Sequence, residues 1–256
     1  HVICEKPFTS SLALMDEVIA AQAGSKARVM PIFQYRFAPG FAKARHLIRS
    51  GLAGKLYTSS VETAWKRGPD YYSVPWRGKF ATELGGVLLT QSIHIHDLFL
   101  SLAGPVAQVA GFKTTRVNPI EVEDCAAAAL VMQDGSVATL LATLGSAEPT
   151  TRIRMCFENL TIERKCYGLE APKPALEPWN FHPMRPELAP AIEARLAEVE
   201  PGDLFFAGQF RAFRDALISG ADFPVTLQDA RRSLELITAL FQASEEKVVV
   251  GLPIGD

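Results

Sequence analysis

The sequence of 256 residues predicts an α/β segment followed by an α+β domain with a mostly antiparallel sheet. Three observations support this fold class. A strand, a helix and a second strand follow one another at the start of the chain, the order of a parallel βαβ unit. Strand-like segments then occur in series from residue 107, two of them joined by an Asp134-Gly135 hairpin signal. Amphipathic helical segments close the chain and give the sheet a layer to pack on.

The βαβ unit comes first. Residues 1–4 read as a short buried strand, and residues 11–23 as an amphipathic helix that ends at Gly24. A second strand is predicted over residues 28–33, although Pro31 is unfavourable inside it. No turn or cap precedes the first strand, so we expect the chain to start within a fold.

The second segment begins with a helix over residues 41–50 and a strand over residues 56–63. A long loop follows over residues 65–84, and residues 85–102 read as one helix. The remaining sheet is predicted from strands at 107–114, 126–132 and 136–144 and from an antiparallel pair on either side of Glu158-Asn159. Seven prolines between Pro172 and Pro201 mark a long excursion with one short helix near residues 191–199. Helices at 205–219 and 227–247 close the chain, the latter opening with a capping box of Thr226 and Asp229.

Composition limits the classes of function. The chain is 48% hydrophobic and has a formal net charge of −2, without a block of lysine and arginine that would indicate nucleic-acid binding. It contains neither a run long enough to span a bilayer nor a signal-peptide pattern, so we expect a cytoplasmic protein. The four cysteines form no CxxC pair. A small molecule or another protein is therefore the expected partner.

The helix predicted after Gly85-Gly86 gathers polar side chains on one face. Thr90, His94 and Asp97 lie at helical spacing beside an apolar stripe, so one face can pack and the other can titrate. A lone histidine on a helix is usually a core or surface group. Here Thr90 and Asp97 flank it within one turn and are expected to orient its ring, which favours a functional His94.

Two other interpretations concern the same region and the N-terminus. His94 and His96 form an HxH pair, but residues two apart on a helix point roughly 200° apart, so no metal site is predicted. Lys6 follows the first strand at the edge where open α/β sheets bind ligands, and Pro7 restricts it to extended geometry. By position alone, Lys6 is either a ligand-binding group or an exposed lysine that opens a loop.

Taken together, four motifs resemble the glucose-fructose oxidoreductase and inositol dehydrogenase (Gfo/Idh/MocA) family. They are Val2-Ile3-Cys4-Glu5-Lys6-Pro7, Gln34-Tyr35-Arg36-Phe37, Trp76-Arg77-Gly78, and Gly85-Gly86 leading to His94 and Asp97. The resemblance covers the whole chain in order. It implies the C-terminal part of a Rossmann domain over residues 1–35 and a substrate-binding and oligomerisation domain with an open sheet over residues 36–256.

The resemblance also implies an activity. Members are NAD(P)-dependent oxidoreductases that act on a secondary hydroxyl or ketone of sugars and cyclitols. An NAD or NADP cofactor, a sugar-like substrate, and a homodimer or homotetramer formed through the open sheet face are therefore expected. No GxGxxG occurs in the 256 residues, and by this alignment about 100 residues of the Rossmann domain lie outside the sequence.

Site residues follow from the matched motifs. Lys6 and His94 resemble the family's catalytic lysine and general base, with Thr90 in the position beside them. Residues expected at the cofactor are Glu5, Lys6, Pro7, Gln34, Arg36, Trp76 and Arg77, and those expected at the substrate are Lys6, Tyr72, His94 and Asp97.

Thr90 departs from the pattern, because many members carry an aspartate there. A threonine supplies no negative charge to stabilise an imidazolium. Two alternatives therefore stay open: a non-catalytic cofactor- or sugar-binding regulatory protein of the same fold, and a glycosidase or lyase that uses transient NAD oxidation.

Overall fold

The structure is a computed structural model that describes residues 1–167, 179–200 and 202–254. The strands are β1 (Val2–Cys4), β2 (Val29–Pro31), β3 (Leu56–Lys66), β4 (Val106–Thr114), β5 (Cys125–Met132), β6 (Val137–Thr143), β7 (Gly145–Phe157), β8 (Leu160–Tyr167), β9 (Trp179–Pro183) and β10 (Val250–Gly251). The helices are α1 (Leu12–Ala23), α2 (Pro39–Arg49), α3 (Pro69–Tyr72), α4 (Phe80–Glu83), α5 (Ile93–Ala103), α6 (Ala189–Ala197), α7 (Phe205–Ser219) and α8 (Leu227–Glu246).

The N-terminal segment is the predicted βαβ unit. Strands β1 and β2 pair in parallel, with Cys4 opposite Pro31, and α1 connects them. The Ser11 side chain caps α1 by accepting a hydrogen bond from the backbone of Leu14. Strand β2 is shorter than predicted and ends at Pro31, which lacks the N–H that a longer ladder needs. A 3₁₀-helix, Gln34–Phe37, follows and leads into α2.

The second sheet has eight strands in the order β10-β4-β5-β6-β3-β7-β8-β9. All neighbouring strands are antiparallel except β3 and β6, so the predicted mostly antiparallel sheet is confirmed. The β5–β6 hairpin turns at Asp134-Gly135, where Gly135 adopts a φ of +86°. Asp134 Oδ1 accepts hydrogen bonds from the backbone N–H and the hydroxyl of Ser136, which supports the predicted turn.

One face of this sheet is covered by helices. Alternate residues of β5 are buried, and the core runs without interruption from α1 through the sheet to α8. The predicted capping box is present in α8, where Thr226 and Asp229 bond each other reciprocally. None of the described helices is both long and apolar enough to cross a membrane.

The helix predicted over residues 85–102 is two helical pieces. A π-helical turn, Val87–Gln91, comes first, and α5 begins after Ser92. The Ser92 N–H and hydroxyl both donate to Val87 O, at 2.9 and 2.7 Å, which closes the wider turn. Both faces of this segment are packed, because His94 and Asp97 on the predicted polar face are buried like the apolar side chains.

Other differences are smaller. The loop predicted over residues 65–84 contains two short helices. Helix α3 begins at Pro69 and helix α4 at Phe80. Of the proline-rich excursion, residues 168–178 and 201 lie outside the described residues. The rest forms β9, which adds an edge strand to the sheet, and α6.

Candidate active site at the end of strand β1

Lys6 lies two residues after β1 and reaches the π-helical turn. Its Nζ donates a hydrogen bond to the backbone carbonyl of Thr90 at 2.7 Å. Burial lowers the pKa of Lys6 below its usual range, and the nearby positive charge of Arg77 lowers it further, while Glu5 and Glu83 oppose the shift. Lys6 is thus a partly buried, oriented amine rather than an exposed lysine in a loop.

His94 is in the first turn of α5 and is only 8% exposed. Its ring packs against Tyr35, with centroids 5.0 Å apart, and meets the edge of Phe33 at 6.0 Å. Burial lowers the pKa of His94 to about 3, and the positive charge of Lys6 adds to the shift. The imidazole is therefore neutral at physiological pH. Its Nδ1 is enclosed and has no hydrogen-bond partner.

Thr90 does not contact His94 through its side chain. Its hydroxyl donates to Gly86 O at 2.8 Å, and its backbone carbonyl accepts from Lys6. The expectation that Thr90 and Asp97 orient the His94 ring is wrong. The Thr90 hydroxyl bonds the Gly86 carbonyl instead, and the Asp97 carboxylate bonds Arg36.

Arg36 and Asp97 are bound to each other in the interior. Arg36 Nε and Nη2 donate to the two carboxylate oxygens of Asp97 at 2.7 and 2.6 Å, and Nη1 lies 3.2 Å from Asp229. Burial alone lowers the pKa of Arg36, but the two carboxylates outweigh it and raise the pKa. Burial raises the pKa of Asp97 to about 6 although Arg36 opposes the shift, so this carboxylate stays ionised at neutral pH.

This network differs from the roles predicted for its members. Arg36 was expected to bind the cofactor and Asp97 the substrate. In the structure these two side chains hydrogen-bond each other instead. The physical reason is position: Asp97 lies three residues after His94 and faces the 3₁₀-helix that carries Arg36. The network joins that helix to α5 and α8. Gln34, in the same 3₁₀-helix, is buried with its Oε1 unpaired.

The loop between β3 and the π-helical turn contributes an aromatic and basic cluster. The Arg77 guanidinium lies 3.8 Å from the centre of the Tyr71 ring and 4.5 Å from that of Trp76, which is exposed. Tyr72 meets Tyr71 edge-on at 5.1 Å, and burial raises the pKa of its phenol. Because Arg77 shifts the pKa of Lys6, this cluster borders the Lys6–His94 site.

Sequence reasoning missed Glu123, a buried carboxylate that holds the π-helical turn. It accepts hydrogen bonds from the backbone N–H groups of Gly86 and Leu88 at 2.9 and 3.0 Å. A Cβ on Gly86 would lie 1.8 Å from the carbonyl oxygen of Glu123, so only glycine fits there. Burial raises the pKa of Glu123. No local pattern signals this role, because the two segments meet only in the folded chain.

The remaining predicted residues lie beside Lys6 in sequence. Glu5 is exposed and its Oε2 accepts a hydrogen bond from the Lys6 N–H at 3.3 Å, and Pro7 is partly buried. Across the described ranges, no three His, Cys, Asp or Glu side chains are grouped so as to hold a metal ion.

Part of this chain matches a known protein family. Residues 41–163 match the model of the GFO/IDH/MocA C-terminal domain. Residues 41–163 therefore form a C-terminal domain of the GFO/IDH/MocA family. This confirms the resemblance that the four sequence motifs carry, and the family domain covers β3, the π-helical turn and α5 together with the strands up to β8.

A curated relative in this family is described as the uncharacterized oxidoreductase YrbE of Bacillus subtilis (strain 168). It is 27% identical over 145 residues, which are 55% of this chain and 40% of that protein. The matched region is thus less than half of the relative's length.

Solved structures share the fold at lower identity. The WlbA dehydrogenase from Bordetella pertussis, in complex with NADH and UDP-GlcNAcA, is similar over 100% of this chain and 72% of its own, with 22% identity and a TM-score of 0.83. A levoglucosan dehydrogenase in complex with NADH and levoglucosan matches over 99% and 74%, with 17% identity and a TM-score of 0.76. The fold with β1, β2 and the large sheet is therefore that of these dehydrogenases.

Proposed function

We propose that this chain belongs to an NAD(P)-dependent oxidoreductase that interconverts a secondary hydroxyl and a ketone on a sugar, cyclitol or sugar derivative. One observation carries the proposal: a partly buried lysine after a parallel strand acts electrostatically on a buried, neutral histidine, in a chain that contains this family's C-terminal domain. Similar proteins whose structures contain NADH together with a sugar-like compound support it.

The residues present fit the nicotinamide end of such a cofactor. Lys6 lies at the strand edge where α/β sheets bind ligands, and the unpaired Oε1 of Gln34 and enclosed Nδ1 of His94 show polar atoms without protein partners near it. We assign Glu5, Lys6, Pro7 and Trp76 to this end, with Arg77 at its border with the substrate. When bound, the cofactor accepts a hydride from the substrate carbon.

The lysine orients the substrate. One Nζ hydrogen bond is used by the Thr90 carbonyl, which leaves two donors for a substrate oxygen. An ammonium aimed at that oxygen stabilises the negative charge that develops when the hydroxyl proton leaves. Glu123 contributes indirectly, because it holds the turn that presents the Thr90 carbonyl.

The histidine takes the proton. Since Nδ1 is enclosed, Nε2 is the ring nitrogen that accepts it. The positive charge of Lys6 opposes formation of an imidazolium, and burial lowers the pKa of both groups. We therefore infer that the pair carries one proton, on Lys6, before the reaction and a second, on His94 Nε2, once the substrate hydroxyl has given up its proton.

Thr90 bears on the alternatives of a non-catalytic relative and of NAD-assisted elimination. Its contribution is the backbone carbonyl that Lys6 uses, and any residue at this position supplies that group. The absence of an aspartate side chain is thus compatible with turnover by the Lys6–His94 pair, which favours the dehydrogenase over the non-catalytic alternative.

Spectrophotometry tests the proposal. The full product of the gene is assayed for NAD+- and NADP+-dependent oxidation of a panel of sugars, uronates and cyclitols at 340 nm. We expect net NAD(P)H formation with at least one member. Cofactor binding without turnover would instead support the regulatory alternative, and substrate cleavage without net NAD(P)H would support the glycosidase or lyase.

We also propose that the uncovered sheet face pairs with a second copy of the chain. The outer side of β4, β5 and β6 exposes Phe112, Val137 and Leu141 next to small alanines, and Phe112 is 68% exposed. A Phe112→Asp variant is expected to shift a dimer or tetramer to monomer in size-exclusion chromatography with light scattering. The matched control is Ile218→Asp on α7, where an isoleucine 78% exposed lies away from the sheet. A wild-type protein that is already monomeric would contradict this proposal.

A further inference from the structure

Two arginine side chains pack on one aromatic ring at the border of the Lys6–His94 site. The Arg77 guanidinium lies 3.8 Å and the Arg67 guanidinium 4.9 Å from the centre of the Tyr71 ring. Gln91 fixes this ring by donating a hydrogen bond to the Tyr71 hydroxyl at 2.5 Å. The two cations are thus held in place by aromatic contacts rather than by carboxylates.

Neither arginine has an ionic partner within the part of the chain that the structure describes. Arg67 Nη1 donates only to the Lys66 carbonyl at 3.2 Å, and its Nε is buried without a partner. By contrast, Arg36 and Arg231 each lie against two carboxylates. A partly buried guanidinium without a counter-charge costs free energy unless a ligand supplies the charge.

The nearby carboxylates are directed elsewhere. Glu5 accepts the Lys6 N–H, Glu83 accepts the Gly78 N–H, and Glu121 accepts the Phe80 N–H. Each of these carboxylates therefore bonds a backbone N–H group and forms no ion pair with the guanidinium of Arg67 or Arg77. The guanidinium forks match the two oxygens of a carboxylate or phosphate.

There is space beside Arg77 for a substituent of this kind. The lining of a cavity of about 620 Å³ includes Tyr72, Arg77 and Lys79 together with Pro119, Ile120 and Glu121. Its size is that of a typical small-molecule site. Arg67 lies next to Tyr72, whose phenol interacts electrostatically with it, so both arginines border this region.

We propose that Arg67 and Arg77 bind a carboxylate or phosphate group of the substrate, which makes an anionic sugar derivative the substrate class. This inference rests on the proposed oxidoreductase function. It adds Arg67 as a specificity-determining residue. The anion would lie on the loop side of the reacting hydroxyl, with Lys6 and His94 on the other.

Calorimetry without cofactor tests the anion site with three probes: glucuronate, glucose 1-phosphate and glucose. We expect glucuronate or glucose 1-phosphate to bind the wild type at least about tenfold more tightly than glucose. Arg67→Gln should remove this preference, and Arg67→Lys, which keeps the charge but not the fork, should retain part of it. Arg49→Gln, an exposed arginine on α2, is the matched control and should leave all three affinities unchanged.

Several results would overturn the inference. Equal binding of glucose and the two anions, or no binding of any probe at millimolar concentration, contradicts it. So does an Arg67→Gln variant that weakens NADPH or NADH binding and leaves both anionic probes unaffected, because the anion recognised would then be a cofactor phosphate. Turnover of neutral sugars without preference for anions leaves the oxidoreductase function intact and rejects the anion site alone. Arg67-dependent anion binding without any turnover rejects the oxidoreductase function alone.

Discussion

Replacing His94 by alanine is expected to lower kcat by about 10²- to 10⁴-fold, the usual contribution of a positioned general base. The physical reason is that His94 supplies a neutral imidazole beside Lys6, and no other titratable side chain of α5 can reach the same place, since Asp97 is bound to Arg36. Affinity for the nicotinamide cofactor should stay nearly unchanged. Steady-state kinetics on the best substrate of the panel, together with cofactor titration by fluorescence, measure both quantities.

Two controls separate catalysis from structure. His46→Ala alters an exposed histidine on α2 that pairs with Glu198 and should leave kcat unchanged. Thr90→Val removes a hydroxyl that bonds only within its own turn and should cost about tenfold or less, because the carbonyl used by Lys6 remains. A His94→Ala protein that folds normally and keeps more than about a tenth of wild-type kcat would reject His94 as the base.

Replacing Arg36 by methionine is expected to lower the free energy of unfolding by about 3–5 kcal/mol. The change leaves the buried carboxylates of Asp97 and Asp229 without the cation they share, while methionine keeps most of the side-chain volume. The 3₁₀-helix that carries Tyr35, which packs on His94, would lose its link to α5 and α8. Urea denaturation followed by circular dichroism at pH 7 gives the change.

The matched control is Arg154→Met on the outer face of the sheet, where the ion pair with Glu163 is partly exposed and is worth about 1 kcal/mol or less. The double variant Arg36→Met/Asp97→Leu should recover much of the loss, because it removes the stranded carboxylate together with the cation. If Arg36→Met is no more harmful than Arg154→Met, the network does not hold the site together.

The elements that the sequence predicts well are those whose pattern is local. Thr226 and Asp229 cap α8 because their spacing alone lets them bond each other's backbone. The Asp134-Gly135 hairpin follows from a glycine that tolerates positive φ and an aspartate that bonds Ser136. In the site, Lys6 and His94 could be chosen from their motifs, although the roles assigned to them stay predictions until activity is measured.

What local pattern misses is the geometry between distant segments. Residues 85–102 have a helical period throughout, yet the chain forms a π-helical turn there, against the Glu123 carboxylate, which lies 35 and 37 residues after its partners Leu88 and Gly86. Within that turn the Thr90 hydroxyl bonds the Gly86 carbonyl and not the His94 ring. Likewise, the spacing of His94 and Asp97 suggested a shared face, whereas Arg36, 61 residues before Asp97, takes the carboxylate.

The sequence by itself predicted the family, the order of the βαβ unit and the antiparallel sheet, and the lysine and histidine that we propose for the chemistry. These follow from hydrophobic period, turn chemistry and motif spacing, which act over a few residues. Only the tertiary structure decided which polar groups are used up inside the fold and which stay open. Folding brings charged side chains of distant elements together, and this pairs Arg36 with Asp97. Arg67 and Arg77 contact the Tyr71 ring and pair with no carboxylate among the described residues.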